Sequence, residues 1–227
     1  MTLFRQFLDR RWIGIDVTHL AINLIKTRLH DAYGEAATYD VIGEPTTVED
    51  AENLAKSDPY QFQWWALGLV GARPGEQKKG ADKGIDGRIY FHDDSSGRTK
   101  QIILSVKAGH TSVPHVRDLR GVIDREKAVI GVLITFQQST QPMRTEAASA
   151  GFYESAGWGR KYPRLQILTV GELLEGKTID MPPLRQVNRT FKKAPRVIGS
   201  GAGQAPLSLV AEEPEPYDFD ADSEPEC

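Results

Sequence analysis

Gly80-Ala81-Asp82-Lys83-Gly84-Ile85-Asp86-Gly87, followed by Arg88–His92 and Lys100–Lys107, is the stretch on which the fold turns. Arg88 to His92 has strand composition, Asp93-Asp94-Ser95-Ser96-Gly97-Arg98 is a polar turn, and Lys100 to Lys107 alternates. Ile102, Leu104 and Val106 share one face of that second strand; Gln101, Ile103, Ser105 and Lys107 share the other. A turn centred near residue 96 sets Asp86 opposite residue 105 or 106 in an antiparallel hairpin. This register brings a carboxylate to a lysine at the sheet edge, with a hydroxyl two residues before the lysine on the same face. A carboxylate can hold a divalent cation, and an amine beside it can orient or deprotonate a water. That is the minimal equipment for metal-assisted phosphodiester hydrolysis. The plainer alternative is turn chemistry at Asp86-Gly87 and a solvated Lys107, and spacing alone leaves both open.

Downstream, Ser112 can cap a helix with Pro114 in its first turn, and Val116, Leu119 and Ile123 recur at helical spacing. Ala128 to Phe136 is a nearly continuous apolar run, the pattern of a strand buried on both sides. Thr140 is placed to cap a helix from Pro142 to Ala150, stopped by Gly151. Leu165 to Val170 follows as a strand and Gly171 to Leu174 as a short helix. Upstream, Asp58-Pro59 opens a helix whose span from Tyr60 to Val70 is apolar nearly all round, which predicts a core helix packed on the sheet. The order helix, hairpin, helix, buried strand, helix, strand is that of an α/β fold with parallel pairing after the hairpin.

With those elements in place, residues 60 to 180 resemble the Mrr-type restriction endonucleases, a branch of the PD-(D/E)xK nuclease superfamily. The Gly80–Gly87 run is similar to the glycine-rich approach to that family's metal-binding aspartate, and Ser105-Val106-Lys107 stands where the family has Glu or Gln, any residue, then Lys. Thr140 and Ala147-Ala148 match a Thr followed by an Ala-rich helix. The resemblance implies a restriction-endonuclease-like α/β core, a mixed central sheet flanked by helices, and a Mg²⁺-dependent DNA endonuclease of a restriction-modification system. Asp86 and the main-chain carbonyl of Val106 would bind Mg²⁺, Lys107 would handle the attacking water, and Ser105 would add a hydrogen bond or a water-mediated contact. Ser105 departs from the pattern, because hard cations prefer charged oxygens to a hydroxyl; Asp82 is read either as the source of the missing negative charge or as a turn residue. Gln63 occupies a position resembling the glutamate that many of these nucleases carry on their first helix. It is read either as orienting a metal-bound water or as a plain helix-surface glutamine.

Residues 1–31 differ in character. Arg11-Trp12-Ile13-Gly14-Ile15-Asp16 has the pattern of a short strand ending in an acid, and Thr18 can cap a helix carrying Ala21, Leu24, Ile25 and Leu29 on one face. The segment resembles the C-terminal end of DNA N6-adenine and N4-cytosine methyltransferases, in which Asp16 would meet the cofactor ribose. No glycine-rich cofactor loop and no Asp-Pro-Pro-Tyr-like motif accompany it, so it is expected to be a remnant or a fragment of a fused enzyme. The expected organisation is a remnant at 1–31, a connector at 32–57, the nuclease-like domain at 58–184, and a linker with a disordered acidic tail at 185–227.

Charge is unevenly distributed. Eight acids and no Lys or Arg fall between Ala211 and Cys227, which leaves 28 Lys and Arg against 23 Asp and Glu in the rest, or +5. A mildly positive body is compatible with DNA as partner, and Lys78, Lys79 and Lys83 stand ready to meet phosphates or to form a solvated loop. Homodimerisation and association with a DNA methyltransferase stay open. The single, terminal Cys227 excludes a disulfide framework and a Cys-rich zinc site. With no apolar span, the chain is expected to be cytoplasmic and away from membranes. The rival from a different class is a catalytically inactive DNA-binding module that keeps the nuclease fold.

Overall fold

The computed structural model describes residues 13–75, 84–93 and 98–183. Lys78, Lys79, Asp82, Lys83, most of the hairpin turn and the acidic tail lie outside these residues. The elements run α1 (His19–Tyr33), a single 3₁₀ turn (Gly34–Ala36), α2 (Val48–Ser57), α3 (Pro59–Leu69), β1 (Arg73–Pro74), β2 (Gly87–Phe91) and β3 (Lys100–Lys107). There follow α4 (Val113–Glu126), β4 (Ile130–Thr135), α5 (Gln141–Ser149), β5 (Phe152–Glu154), β6 (Lys161–Pro163), β7 (Leu165–Thr169) and α6 (Val170–Leu174). The main sheet has the order β1-β2-β3-β4-β7. Pairing is antiparallel from β1 to β3 and parallel from β3 through β4 to β7. This is the mixed α/β sheet expected of a restriction-endonuclease-like core.

β3 divides the hydrophobic interior in two. Ile102, Leu104 and Val106 face a layer containing Phe62, Trp65 and Leu67 of α3, whereas Ile103 faces Val116, Leu119 and Ile123 of α4 and Met143 of α5. The alternation read from Lys100–Lys107 therefore holds, but its second face is polar only near its ends. Ile103 and Ser105 are buried there, because β3 lies between two strands and under α4. All six residues of β4 are buried, as a two-sided interior strand requires. Gly131 of β4 sits directly under α4. A Cβ at that position would stand 2.3 Å from Cδ1 and 2.7 Å from Cγ1 of Ile123, so the close approach of α4 to the sheet depends on a residue without a side chain.

Local chemistry sets the helix ends. The Asp58 carboxylate accepts from the backbone N–H of Tyr60 and Gln61, both at 3.1 Å, and Pro59 occupies the first turn, where no backbone donor is needed. Thr18 Oγ1 accepts from Ala21 N at 3.2 Å. Thr140 stands at the start of α5 but its side chain makes no capping bond. Gly151 follows α5 with φ of 77°, a left-handed conformation that glycine adopts without strain.

Three features differ from the sequence reading. Residues 13–16, expected to end a strand, belong to no strand; Ile13 and Ile15 are 89% and 90% exposed, and none of the described strands lies beside them to pair. The stretch read as a connector contains α2, capped by Thr47 and buried through Ala51 and Ala55, a stripe too small in side-chain size to stand out by hydrophobicity. The β5–β6 hairpin was not anticipated. It is fastened to the main sheet through Asp93, whose fully buried carboxylate accepts from Lys100 Nζ and from the Tyr153 hydroxyl. No described helix is long and apolar enough to cross a membrane.

Two outcomes follow from this packing. Gly131→Ala should destabilise the fold by about 1–3 kcal/mol through overpacking, with Ile123→Val restoring part of the loss; thermal unfolding of the single and double variants measures it. At Asp93, burial works to raise the carboxyl, but hydrogen bonds from Lys100 and Tyr153 outweigh it and hold the group below its ordinary range. A lowered folded value makes Asp93 stabilising above the unfolded pKa of about 4, with the contribution lost as pH falls through the lower folded value. Asp93→Asn should thus lower stability at pH 7, and chemical denaturation should show the gap to wild type narrowing below about pH 4.

Candidate functional site

Asp86 immediately precedes β2, and its backbone N–H donates to Leu104 O at 2.9 Å. With Gly87 paired to Leu104, the hairpin register sets Asp86 opposite Ser105, within the range expected from the turn. Asp86 Oδ2 accepts from Val106 N at 2.6 Å and from Ser105 Oγ at 3.2 Å. Lys107 Nζ lies 3.9 Å from the same oxygen. The structure thus brings Asp86, Ser105, Val106 and Lys107 together, Val106 through its N–H. The Asp86 side chain is 12% exposed and that of Lys107 34%, so the lysine forms the solvent-facing side of the group.

The partner on the other oxygen comes from α3. Gln63 Nε2 donates to Asp86 Oδ1 at 3.1 Å and to Asp86 O at 3.4 Å. Both neighbours are acceptors, so the amide must turn its NH₂ toward them. Neither role read for Gln63 from the sequence describes this: it is a tether that reaches from α3 to Asp86. The signal was its place on the first helix, but the identity of its partner depends on how α3 lies across the sheet.

Whether Mg²⁺ suits this set can be judged from its donors. Mg²⁺ takes oxygen ligands in near-octahedral geometry at about 2.0–2.1 Å. Here both Asp86 oxygens accept from N–H or O–H groups, Gln63 presents hydrogens, and Ser105 directs its proton at the same carboxylate. Among the described residues, no three or more His, Cys, Asp or Glu side chains converge as a metal site. The described residues do not fit a Mg²⁺ centre; Asp82 lies outside them, as do Lys78, Lys79 and Lys83.

Polar groups continue along the C-terminal edge of the parallel strands. Lys107 is in register with Thr135 of β4, and Thr135 with Thr169 of β7. Thr135 Oγ1 lies 3.2 Å from Thr111 Oγ1, and His110 Nδ1 lies 2.9 Å from Gln137 Oε1. These loop residues carried no motif in the sequence and are assembled only by the parallel pairing.

No curated protein and no solved structure gives a significant match to this chain. Residues 60–175, more than half of its length, match the model of a family described as NACHT-associated inactive Restriction Endonuclease 1. That description overturns the expectation of a Mg²⁺-dependent DNA endonuclease. From Tyr60 to Glu175 the sequence matches and the mixed sheet accords with it, and the chain belongs to the family of NACHT-associated inactive restriction endonuclease-like domains.

Proposed function

We propose that this chain is a catalytically silent module that keeps the nuclease fold in order to bind DNA without cutting it. One observation carries the reading: Gln63, Ser105 and the Val106 N–H together hold the Asp86 carboxylate as a hydrogen-bond acceptor inside the protein. The group that would bind a cation in a working nuclease serves here to join α3 to the β2–β3 hairpin. Lys107 is retained at the surface of the same site, and a phosphate oxygen is a natural partner for an ammonium held there. The positive balance of the chain outside its acidic tail supports a polyanionic partner. The family's description as NACHT-associated supports a recognition module serving a NACHT protein over a stand-alone hydrolase. The finer likenesses rest on Gly80–Gly87, Ser105-Val106-Lys107, Thr140 and Ala147-Ala148 for the Mrr type, and on Arg11–Asp16 with the Thr18-capped helix for a methyltransferase C-terminus; this reading needs neither.

The full chain should bind duplex DNA in fluorescence anisotropy with an affinity that falls as salt rises, and should leave the DNA intact in Mg²⁺ or Mn²⁺. Lys107→Ala should weaken binding across sequences and flatten the log–log salt dependence by about one unit. Duplex binding indifferent to both salt and Lys107 would refute the role given to this edge. A second measurement probes the silenced acid. Gln63→Glu sets one carboxylate against another in place of the 3.1 Å hydrogen bond, so the variant should melt below wild type, and Mn²⁺ should raise its melting temperature while leaving that of wild type unchanged. A variant as stable as wild type and blind to Mn²⁺ would show that Gln63 does not hold Asp86.

A further inference from the structure

A cleft of about 530 Å³ opens between α5, β7 and the β5–β6 hairpin. Its size suits one small organic group rather than a peptide or a helix. It runs the length of the edge strand β7, from Phe152 and Pro163 at the N-terminal end of that strand to Thr169 and Glu172 at its C-terminal end. Leu165, Ile167 and Thr169 of β7 line one wall, and Ala147 and Ala148 of α5 leave room opposite them by having small side chains. Phe152 stands at the rim and is 64% exposed, an aromatic face left in water.

The polar groups of the cleft are arranged for an anion with a hydrogen-bonding body. The Arg144 guanidinium donates to Ser139 O, and to Gln141 Oε1 at 3.2 Å through Nε and 3.0 Å through its terminal nitrogen. These bonds fix its plane, yet among the described residues it pairs with no carboxylate, so its charge is uncompensated. The acid of the cleft, Glu172, is already engaged by Lys177 at 2.6 Å and by Thr169. Gln138 and Ser139 add an amide and a hydroxyl.

We propose that this cleft receives one unpaired nucleoside of a DNA strand, stacked on Phe152, with the adjoining phosphate at Arg144. The proposal rests on the DNA-binding reading given above and extends it to a preference for unpaired bases. Continuity with Lys107 supports it. Lys107, Thr135 and Thr169 are in register across three adjacent strands, so Lys107 and the Thr169 end of the cleft are roughly 10 Å apart at about 4.8 Å per strand, and Phe152, paired with Pro163, stands at the other end of β7. A stacked strand rises about 3.4 Å per nucleotide, which makes this the span of two to three nucleotides. A base inside a duplex is stacked and paired on all sides and cannot enter such a cleft; a base in a single strand, overhang or mismatch can.

The test compares a short fluorescein-labelled oligo-dT with a blunt hairpin duplex, using the full chain and its Phe152→Ala, Arg144→Gln and Lys107→Ala variants. Wild type should bind the oligo-dT, and Phe152→Ala should weaken that binding by roughly five- to a hundred-fold, the range of one base–aromatic stack. Arg144→Gln should weaken it several-fold, while both variants keep their duplex affinity and Lys107→Ala loses affinity for both DNAs. Because Phe152 is exposed, its truncation leaves the core untouched. Duplex binding with no oligo-dT binding, or oligo-dT binding unmoved by Phe152→Ala and Arg144→Gln, overturns the cleft and leaves the DNA-binding reading standing. Wild type that binds neither DNA overturns both.

Discussion

The Asp86 carboxylate is the point at which separate parts of this chain are joined. Its donors come from 23 residues earlier on α3 and from 19 and 20 residues later on β3, so one side chain closes both the helix-to-sheet and the strand-to-strand geometry. A buried carboxylate is tolerated only when its lone pairs are occupied by donors. Here an amide, a hydroxyl and a backbone N–H occupy them, and Lys107 balances the charge from the solvent side. Charge-assisted bonds of this kind are stronger than neutral ones, and removing any donor leaves the carboxylate less well satisfied than in water.

Around that point the fold is built from two layers that meet at β3. α3 covers one side of the sheet with aromatic side chains, Phe62 stacking on Phe136 at 5.0 Å between ring centres. α4 and α5 cover the other with aliphatic ones, and α4 comes close because Gly131 offers no side chain. The arrangement aligns Lys107, Thr135 and Thr169 at the strand ends, next to the loops that carry His110, Thr111 and Gln137. Hydrophobic packing therefore determines where the site is, and hydrogen bonding determines what it can do.

Much of this was legible in the chain because the signals were local. β3, α4, β4, α5 and β7 each announce themselves by periodicity and by a capping or stopping residue, and the short polar turn fixes the hairpin register that sets Asp86 against Ser105. α2 was missed because its buried stripe is alanine, and β5–β6 because three-residue strands have no period to detect. The strand expected over residues 11–16 is absent from its described part, 13–16, for a different reason: extended, apolar sequence becomes a strand only beside a neighbour with free backbone groups. Loss of activity was the least legible property. An aspartate and a lysine at the proper spacing look alike whether the acid holds a cation or a set of N–H donors, and only the crossing of α3 over the sheet distinguishes the two.

The bond from Gln63 to Asp86 also bears on how such a chain evolves. Once the acid helps to hold a helix against a hairpin, its loss is felt as a folding defect, and purifying selection will retain it with no catalytic benefit in view. A glutamate at the Gln63 position alone sets like charges side by side, so it is tolerated only where a cation comes to lie between them. Asp86 is then kept by what it contributes to stability. An invariant Asp and Lys across a lineage of this kind would then measure the demands of the fold, and the residues facing them, here a glutamine and a serine, would be the ones that report on activity.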